Sequence, residues 1–358
     1  MTPTTRNAWC LAFFSVLVLW GINNVVIGYS AQVLHANSLV YACSAFASAA
    51  MVLLFVGGHG PLVRETLRSI DTWAFGFILL LGYVITLNLF TYVSSTEGSL
   101  LQRISLLFSI SAAWFFLSRP PTRLQLVGLL LILFGITVVC LDLNHTHRIN
   151  IILLMIAEGL VLTARTFVAE FHRPHQIAMQ QTQDPKARAR VVGFVMFIIS
   201  TIFLTLIFSI AGLQHLLGDS LNNPLLPTLN DVMHAPSIVA GLLAGILLLA
   251  PLRVIEFTAS QQIKTENFIA ISALSSVATL FWEWALQPLT GLALRSINSF
   301  DLVALILVTG GALVAALGQL RHQAKTPAWQ QEVVYAPQDV AAVAESREMV
   351  AEALEHFN

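Results

Sequence analysis

The chain has 358 residues, of which 56% are hydrophobic and only 10% charged. Soluble domains carry about 25% charged residues, so this chain cannot clothe a water-facing surface of its size, and it holds too much apolar surface to stay disordered. A formal net charge of −1 gives no basic field that would draw nucleic acid.

A bilayer core of about 30 Å takes roughly 20 apolar residues per helix. Ten runs of that kind follow one another, at 8–28, 38–57, 73–95, 98–117, 124–141, 149–171, 191–213, 237–260, 268–292 and 302–320. Strands of a membrane barrel would be about ten residues long and alternating. The expected fold class is therefore an all-α integral membrane protein with ten transmembrane helices. The first run exceeds a signal-peptide core and has only Arg6 ahead of it, so it reads as a retained helix. Cys10, Cys43 and Cys140 lie inside apolar runs without ligand or redox spacing and read as small hydrophobes.

Orientation follows from Lys and Arg. With the N-terminus in the cytoplasm, twelve of the eighteen fall near the membrane on the inside: Arg6, Arg64, Arg68, Arg119, Arg123, Arg173, Lys186, Arg188, Arg190, Lys264, Arg321 and Lys325. Two, Arg148 and Arg295, fall outside, and the loop over 214–236 has none. The expectation is a multi-pass protein of the cell (inner) membrane with both termini cytoplasmic and the lipid bilayer as its surroundings.

The two halves resemble each other. Residues 126–138 (LVGLLLILFGITV) and 302–314 (LVALILVTGGALV) share Leu126, Val127, Leu129, Leu131, Gly135 and Val138 at a constant offset of 176. Thr96-Glu97 and Thr265-Glu266 recur at an offset of 169. With five helices each, the halves must be inverted in the membrane, an architecture of secondary transporters. The expected organisation is a first five-helix repeat over 8–142, a second, inverted one over 149–320, and a soluble cytoplasmic tail over 321–358.

Ten helices as five plus five, Trp20-Gly21-Ile22-Asn23 in the first helix, and Gly128 with Gly135 in the fifth resemble the drug/metabolite transporter superfamily, EamA-like branch. The resemblance covers about 8–320. It implies a central cavity lined by helices 1, 3, 4, 6, 8 and 9, with helices 5 and 10 at the periphery, and transport of small metabolites, often efflux. The sequence departs from the family pattern in having no Pro within 104–117 or 269–286, and in placing Arg119-Pro120 where a Glu is common.

Six ionisable residues lie within spans: Arg103, Glu158, Arg165, Arg253, Glu256 and Glu283. Each costs about 2.5–3.5 kcal/mol at a helix centre, so they are expected to face the bundle interior. Ser272, Ser276, Thr279, Glu283 and Gln287 recur every three or four residues, a polar stripe through the ninth helix. Asn23, Asn24, Asn88 and Arg103 fall in the outer halves of their helices and extend the same substrate cavity. Arg253 and Glu256, at i and i+3, also suit a fixed ion bridge. Arg103 could instead reach the outer headgroups, and Arg165 could pair with Glu170. Glu158 and Glu283 are expected nearest mid-membrane; since burial favours the neutral form of a carboxyl group, they are the candidates for proton coupling. Trp282 beside Glu283 could stack on a ligand, although core packing also explains it. Trp20, Trp114 and Trp284 lie within spans, while Trp9 and Trp73 read as interface anchors.

No H-E-x-x-H, G-x-S-x-G or P-loop occurs, so neither an enzyme nor a cofactor is expected. His145, His147, His172 and His175 read as loop histidines without a third ligand, so no metal site is expected either. In the tail, Val343, Val350, Leu354 and Phe357 form one stripe of a short acidic helix. The leading expectation is a secondary active transporter, an exporter or exchanger, of a small polar or amphipathic metabolite. The mixed-sign interior suits an amino-acid-like zwitterion, moved by alternating access, with proton or ion coupling as a further partner. The competing expectation is a membrane sensor or scaffold that signals through the tail.

Overall fold

A computed structural model describes residues 3–143, 145–180, 186–217, 227–291 and 299–325. Among these described residues ten helices are long and apolar enough to cross a membrane: α1 (Arg6–Gln32), α2 (Ser38–Gly57), α3 (Ile70–Phe90), α4 (Ser95–Leu117), α5 (Arg123–Asp142), α6 (Arg148–Phe171), α7 (Ala187–Leu217), α8 (Ala235–Ile263), α9 (Thr265–Thr290) and α10 (Ser299–Gly318). No strand occurs among the described residues. All ten predicted spans are present, and the acidic helix predicted in the tail lies outside the described residues. Large apolar side chains such as Phe55 and Phe116 stand on the outer surface, where lipid is as good a solvent as the core.

Polar punctuation sets the boundaries. Asn37 caps α2 by accepting from the amides of Leu39 and Val40 at 3.1 and 3.3 Å. The third span ends at Phe90 rather than at 95, because Ser94 and Glu97 form a capping box that opens α4. Hydropathy runs on through that junction and hides it. Thr122 and Gln125 make the same box at the start of α5. Ser118, at φ 52°, closes α4, and Lys264, at φ 70°, alone joins α8 to α9. At the end of the bundle that carries the basic loops, Arg190 of α7 donates to the carbonyls of Gly57, Gly58 and Pro61 at 2.8, 3.0 and 3.3 Å, which ties α2 to α7.

Two spans are interrupted at corresponding places. α4 consists of Ser95–Leu101 and Ile104–Leu117, and α9 of Thr265–Ser272 and Ser275–Thr290. At both breaks the chain tightens into i→i−3 hydrogen bonds, Arg103 to Leu100 at 3.1 Å and Leu274 to Ile271 at 3.0 Å. α1 and α8 carry π-helical stretches, Ser15–Trp20 and Gly245–Leu249.

α5 packs along α10 with backbone against backbone. A Cβ on Gly128 would collide with the carbonyl oxygen of Gly311, and one on Gly311 with that of Gly128. Gly135 lies against Val308 and the Ala304 carbonyl. The offset of 176 turns the pair Gly128–Gly311 into Ala304–Gly135, so the two close contacts between α5 and α10 correspond under that offset.

Candidate functional site

The charged residues foreseen within the spans turn inward. Arg103, Glu158, Arg165, Arg253 and Glu256 are all buried, Glu256 completely, and none faces lipid. They come from α4, α6 and α8 and converge between the two ends of the bundle. Glu256 takes both remaining cations of α6 and α8: its Oε1 accepts from Arg165 Nε at 2.9 Å, and its Oε2 pairs with Arg253 Nη1. The guanidinium of Arg165 lies over the Trp20 ring at 5.7 Å, and that of Arg253 over the Tyr83 ring at 5.8 Å. The Arg253–Glu256 bridge is thus present, while Arg165 pairs with Glu256 and not with Glu170.

Glu158 stands apart from that fork. Its Oε1 accepts from Thr86 of α3 at 2.7 Å, and its Oε2 is buried without a partner. Arg165 Nη2 and Arg253 Nε are likewise buried and unpartnered. Buried polar atoms are nearly always satisfied by protein or water, so these three atoms mark where a small polar guest or water belongs.

Arg103 sits in the break of α4 and does not reach the headgroups. It donates from Nε to the Ser99 carbonyl at 2.8 Å, from Nη1 to Ser272 Oγ at 2.7 Å and from Nη2 to Gln102 Oε1 at 3.1 Å. Ser272 closes the first half of the broken α9, so the two interruptions meet. Asn23 and Asn24 are buried in α1, and Asn24 Nδ2 donates to Thr279 Oγ1 at 3.1 Å.

Four predicted cavity residues lie elsewhere. Glu283 is not near mid-membrane: its Oε2 accepts from Thr96 at 2.6 Å, one residue into α4 at the far end of the bundle. Asn88 is exposed and bonds its own helix at the Val84 carbonyl, because a short amide on a helix readily satisfies itself one turn back. Gln287 is exposed. Trp282 donates to the Leu17 carbonyl of α1 at 2.9 Å and lies against Gly21, which makes it a packing residue between α1 and α9. Among the other aromatics, Trp9 is buried in the core and is no interface anchor, whereas Trp114 and Trp284 are exposed on the outer surface.

Two buried arrangements at the basic end were not foreseen. Arg119 bridges Glu170 of α6 at 2.8 Å and Glu266 of α9 at 3.3 Å, and Glu170 also accepts from the Thr265 amide at 2.8 Å. The signal was present in Arg119 and Glu266, but nothing in their spacing says that they meet. His172 is the one residue between α6 and the short helix Arg173–Gln180, His175 lies within that helix rather than in a loop, and both rings are fully buried. His172 Nδ1 accepts from the His175 amide at 3.3 Å, so the neutral ring keeps its proton on Nε2, which faces Thr72 Oγ1 at 3.1 Å. His175 Nδ1 faces Gln261 Oε1 at 2.9 Å, and its Nε2 has no partner. Both rings pack on Phe257, which packs on Phe75 with centroids 4.4 Å apart. Burial pushes His172 down to about 3, with the nearby His175 ring acting in the same direction, and burial pushes His175 down to about 4, with the charge of Arg188 acting likewise.

Residues 7–141 match the EamA-like transporter family, the branch that the sequence resembles. No curated protein matches the chain in sequence. A solved crystal structure, described only as that of a protein, is similar over 87% of this chain and 98% of its own, with a TM-score of 0.57 and 15% identity. That likeness concerns the fold alone.

Proposed function

We propose that the chain is, over its full ten-helix length, a membrane carrier of the drug/metabolite transporter type that moves a small polar metabolite by alternating access. The observation that carries this reading is the charged group enclosed between α3, α4, α6 and α8, with buried and unpartnered atoms on Glu158, Arg165 and Arg253. Intramembrane ionisable groups are expensive and belong to substrate or ion pathways. A purely structural bridge would leave no such atoms open.

Two inverted five-helix halves supply the movement. The mutual contacts Gly128–Gly311 and Gly135–Ala304 support that organisation, as do the paired breaks of α4 and α9. In such carriers the halves rock against each other around a site at discontinuous helices. The groups at the basic end, Arg119 with Glu170 and Glu266 and the Phe75–Phe257 contact, then form the closure on one side. Thr96–Glu283 and Asn24–Thr279 tie α9 to α4 and α1 nearer the other side. Glu158 remains the candidate for proton coupling, since its carboxylate has one free oxygen and no fixed cation within ion-pairing distance.

The test is a counterflow screen of labelled metabolites on the purified chain in liposomes, with and without a pH gradient. At least one compound should exchange through wild-type protein, and Glu158→Gln should remove any stimulation by the gradient. If no compound in a broad panel exchanges, the carrier reading fails; intact gradient-driven flux in both Glu158→Gln and Glu283→Gln removes proton coupling alone.

A further inference from the structure

Between the two ends of the bundle, the buried guanidiniums of Arg103, Arg165 and Arg253 face the carboxylates of Glu158 and Glu256, which leaves one positive charge in excess. The field of Glu158 offsets Arg103. Glu256 serves both Arg165 and Arg253. One carboxylate cannot neutralise two guanidiniums, so the surplus lies on this fork.

The fork also holds hydrogen-bond donors to spare. Arg165 Nη2 and Arg253 Nε are buried without a partner, and so is the hydroxyl of Tyr83, all on residues no more than 4% exposed. These groups share one neighbourhood. The Arg253 guanidinium lies over the Tyr83 ring at 5.8 Å, and Tyr83 stands within electrostatic reach of Arg165 as well. A Cβ at Gly82, the residue before Tyr83, would lie 3.9 Å from Arg165 Nη1, so that guanidinium runs along α3. Both π-helical stretches lead to the same place. Trp20 ends the one in α1 and covers Arg165, and Arg253 stands one turn past the one in α8. Such stretches are frequent at functional sites.

We propose that the Arg165–Glu256–Arg253 fork is the subsite for the substrate's acidic group, and that the substrate is a small monocarboxylate. Its two oxygens accept from Arg165 Nη2, Arg253 Nε and the Tyr83 hydroxyl, the charge-assisted donors that an oxyanion takes. This rests on the carrier reading and names its substrate class. The amino-acid-like zwitterion suggested by the balanced sequence gives way to an anion: Glu256 is spent on the fork and Glu158 on Arg103, so an ammonium group would meet no spare negative charge. A surplus of one positive charge likewise selects a carboxylate over a doubly charged phosphonate.

The test uses purified full-length protein and measures binding by thermal shift at constant ionic strength. Propyl, pentyl and phenylpropyl skeletons are each offered as carboxylate, α-amino acid, amine and phosphonate, with chloride as an inorganic anion. Carboxylates should bind at least ten-fold more tightly than the amines and amino acids of the same skeleton, and more tightly than the phosphonates and chloride. Arg165→Lys keeps the charge beside Glu256 but has no Nη2, and should lose more than ten-fold of that affinity. Should this variant fail to fold, Tyr83→Phe, which keeps the ring under Arg253 and every ion pair, should still weaken carboxylates three- to ten-fold. A competitor bound as tightly as the carboxylates, unchanged carboxylate affinity in either folded variant, or no carboxylate bound at all overturns the proposal. Counterflow separates the two ideas: exchange of an amine or amino acid in place of the carboxylates refutes the subsite and leaves the carrier standing, while carboxylate binding without exchange of any compound does the reverse.

Discussion

Arg103 Nη1 donates to Ser272 Oγ at 2.7 Å, and Ser272 is the residue 169 positions on, the same offset that relates Thr96-Glu97 to Thr265-Glu266. Under the proposed two-fold repeat, a residue that touches its own counterpart would lie on the axis relating the halves. The bond is therefore a direct joint between the breaks of α4 and α9. Ser272→Ala removes one acceptor from a buried guanidinium, and should destabilise the protein by about 1–3 kcal/mol. Thermal unfolding in detergent checks this, and an unchanged midpoint would mean that the joint carries no weight.

Among the described residues Glu256 is the one ion partner of both Arg165 and Arg253. Glu256→Gln keeps the shape and strands two buried cations, so a loss of about 3–5 kcal/mol is expected. The purified variant should unfold at a clearly lower temperature than wild type, and adding Arg253→Met should recover part of the loss.

At the basic end, Arg119 separates two acids, Glu170 and Glu266. Arg119→Gln leaves those acids facing each other across the α6–α9 contact. A cysteine introduced at Thr265, buried in this state, should react several-fold faster with a water-soluble maleimide in that variant. Adding Glu266→Gln should slow the reaction again, since the repulsion is gone.

The histidine pair gives the protein a pH dependence of definite sign. Both rings are held far below their ordinary value, 6.5. The buried, neutral arrangement is therefore fully favoured above about pH 6.5 and loses up to ~1.4 kcal/mol per pH unit per ring as pH falls toward 4. Wild-type unfolding temperature should drop between pH 6.5 and 5. A variant with Gln at 172 and 175 should lose less over that interval; an equal slope in both would assign the drop to other groups.

Gly128→Val or Gly311→Val forces apart the backbones of α5 and α10, which touch at that point. Overpacking of this kind costs about 1–3 kcal/mol or more. Each single variant should be less stable than the Gly→Ala change at the same site, and fluorescence-detected size exclusion after heating provides the comparison.

The ten spans were legible because a bilayer demands length and hydrophobicity that nothing else in the chain mimics, and the inward turn of Arg103, Glu158, Arg165, Arg253 and Glu256 followed from the cost of placing them in lipid. Partner choice was not legible. Arg165 could reach Glu170 along its own helix, and only the packing of α6 on α8 decides for Glu256. The stripe on α9 misled in part: Glu283 and Gln287 continue its spacing, but the helix rises past the enclosed region before it reaches them. The break at 102–103 left no Pro or Gly to announce it. The sequence around His172 and His175 reads as an open loop, because a four-residue window cannot show that Phe257 and Gln261 close over them.

Lys264 is all that separates α8 from α9. So short a coupling has no slack, and any tilt of the rod that holds Arg253 and Glu256 is handed on to the rod that carries Ser272 as if by a crank. Charge pairing in one wall and the geometry beside Arg103 in another are in this way mechanically geared.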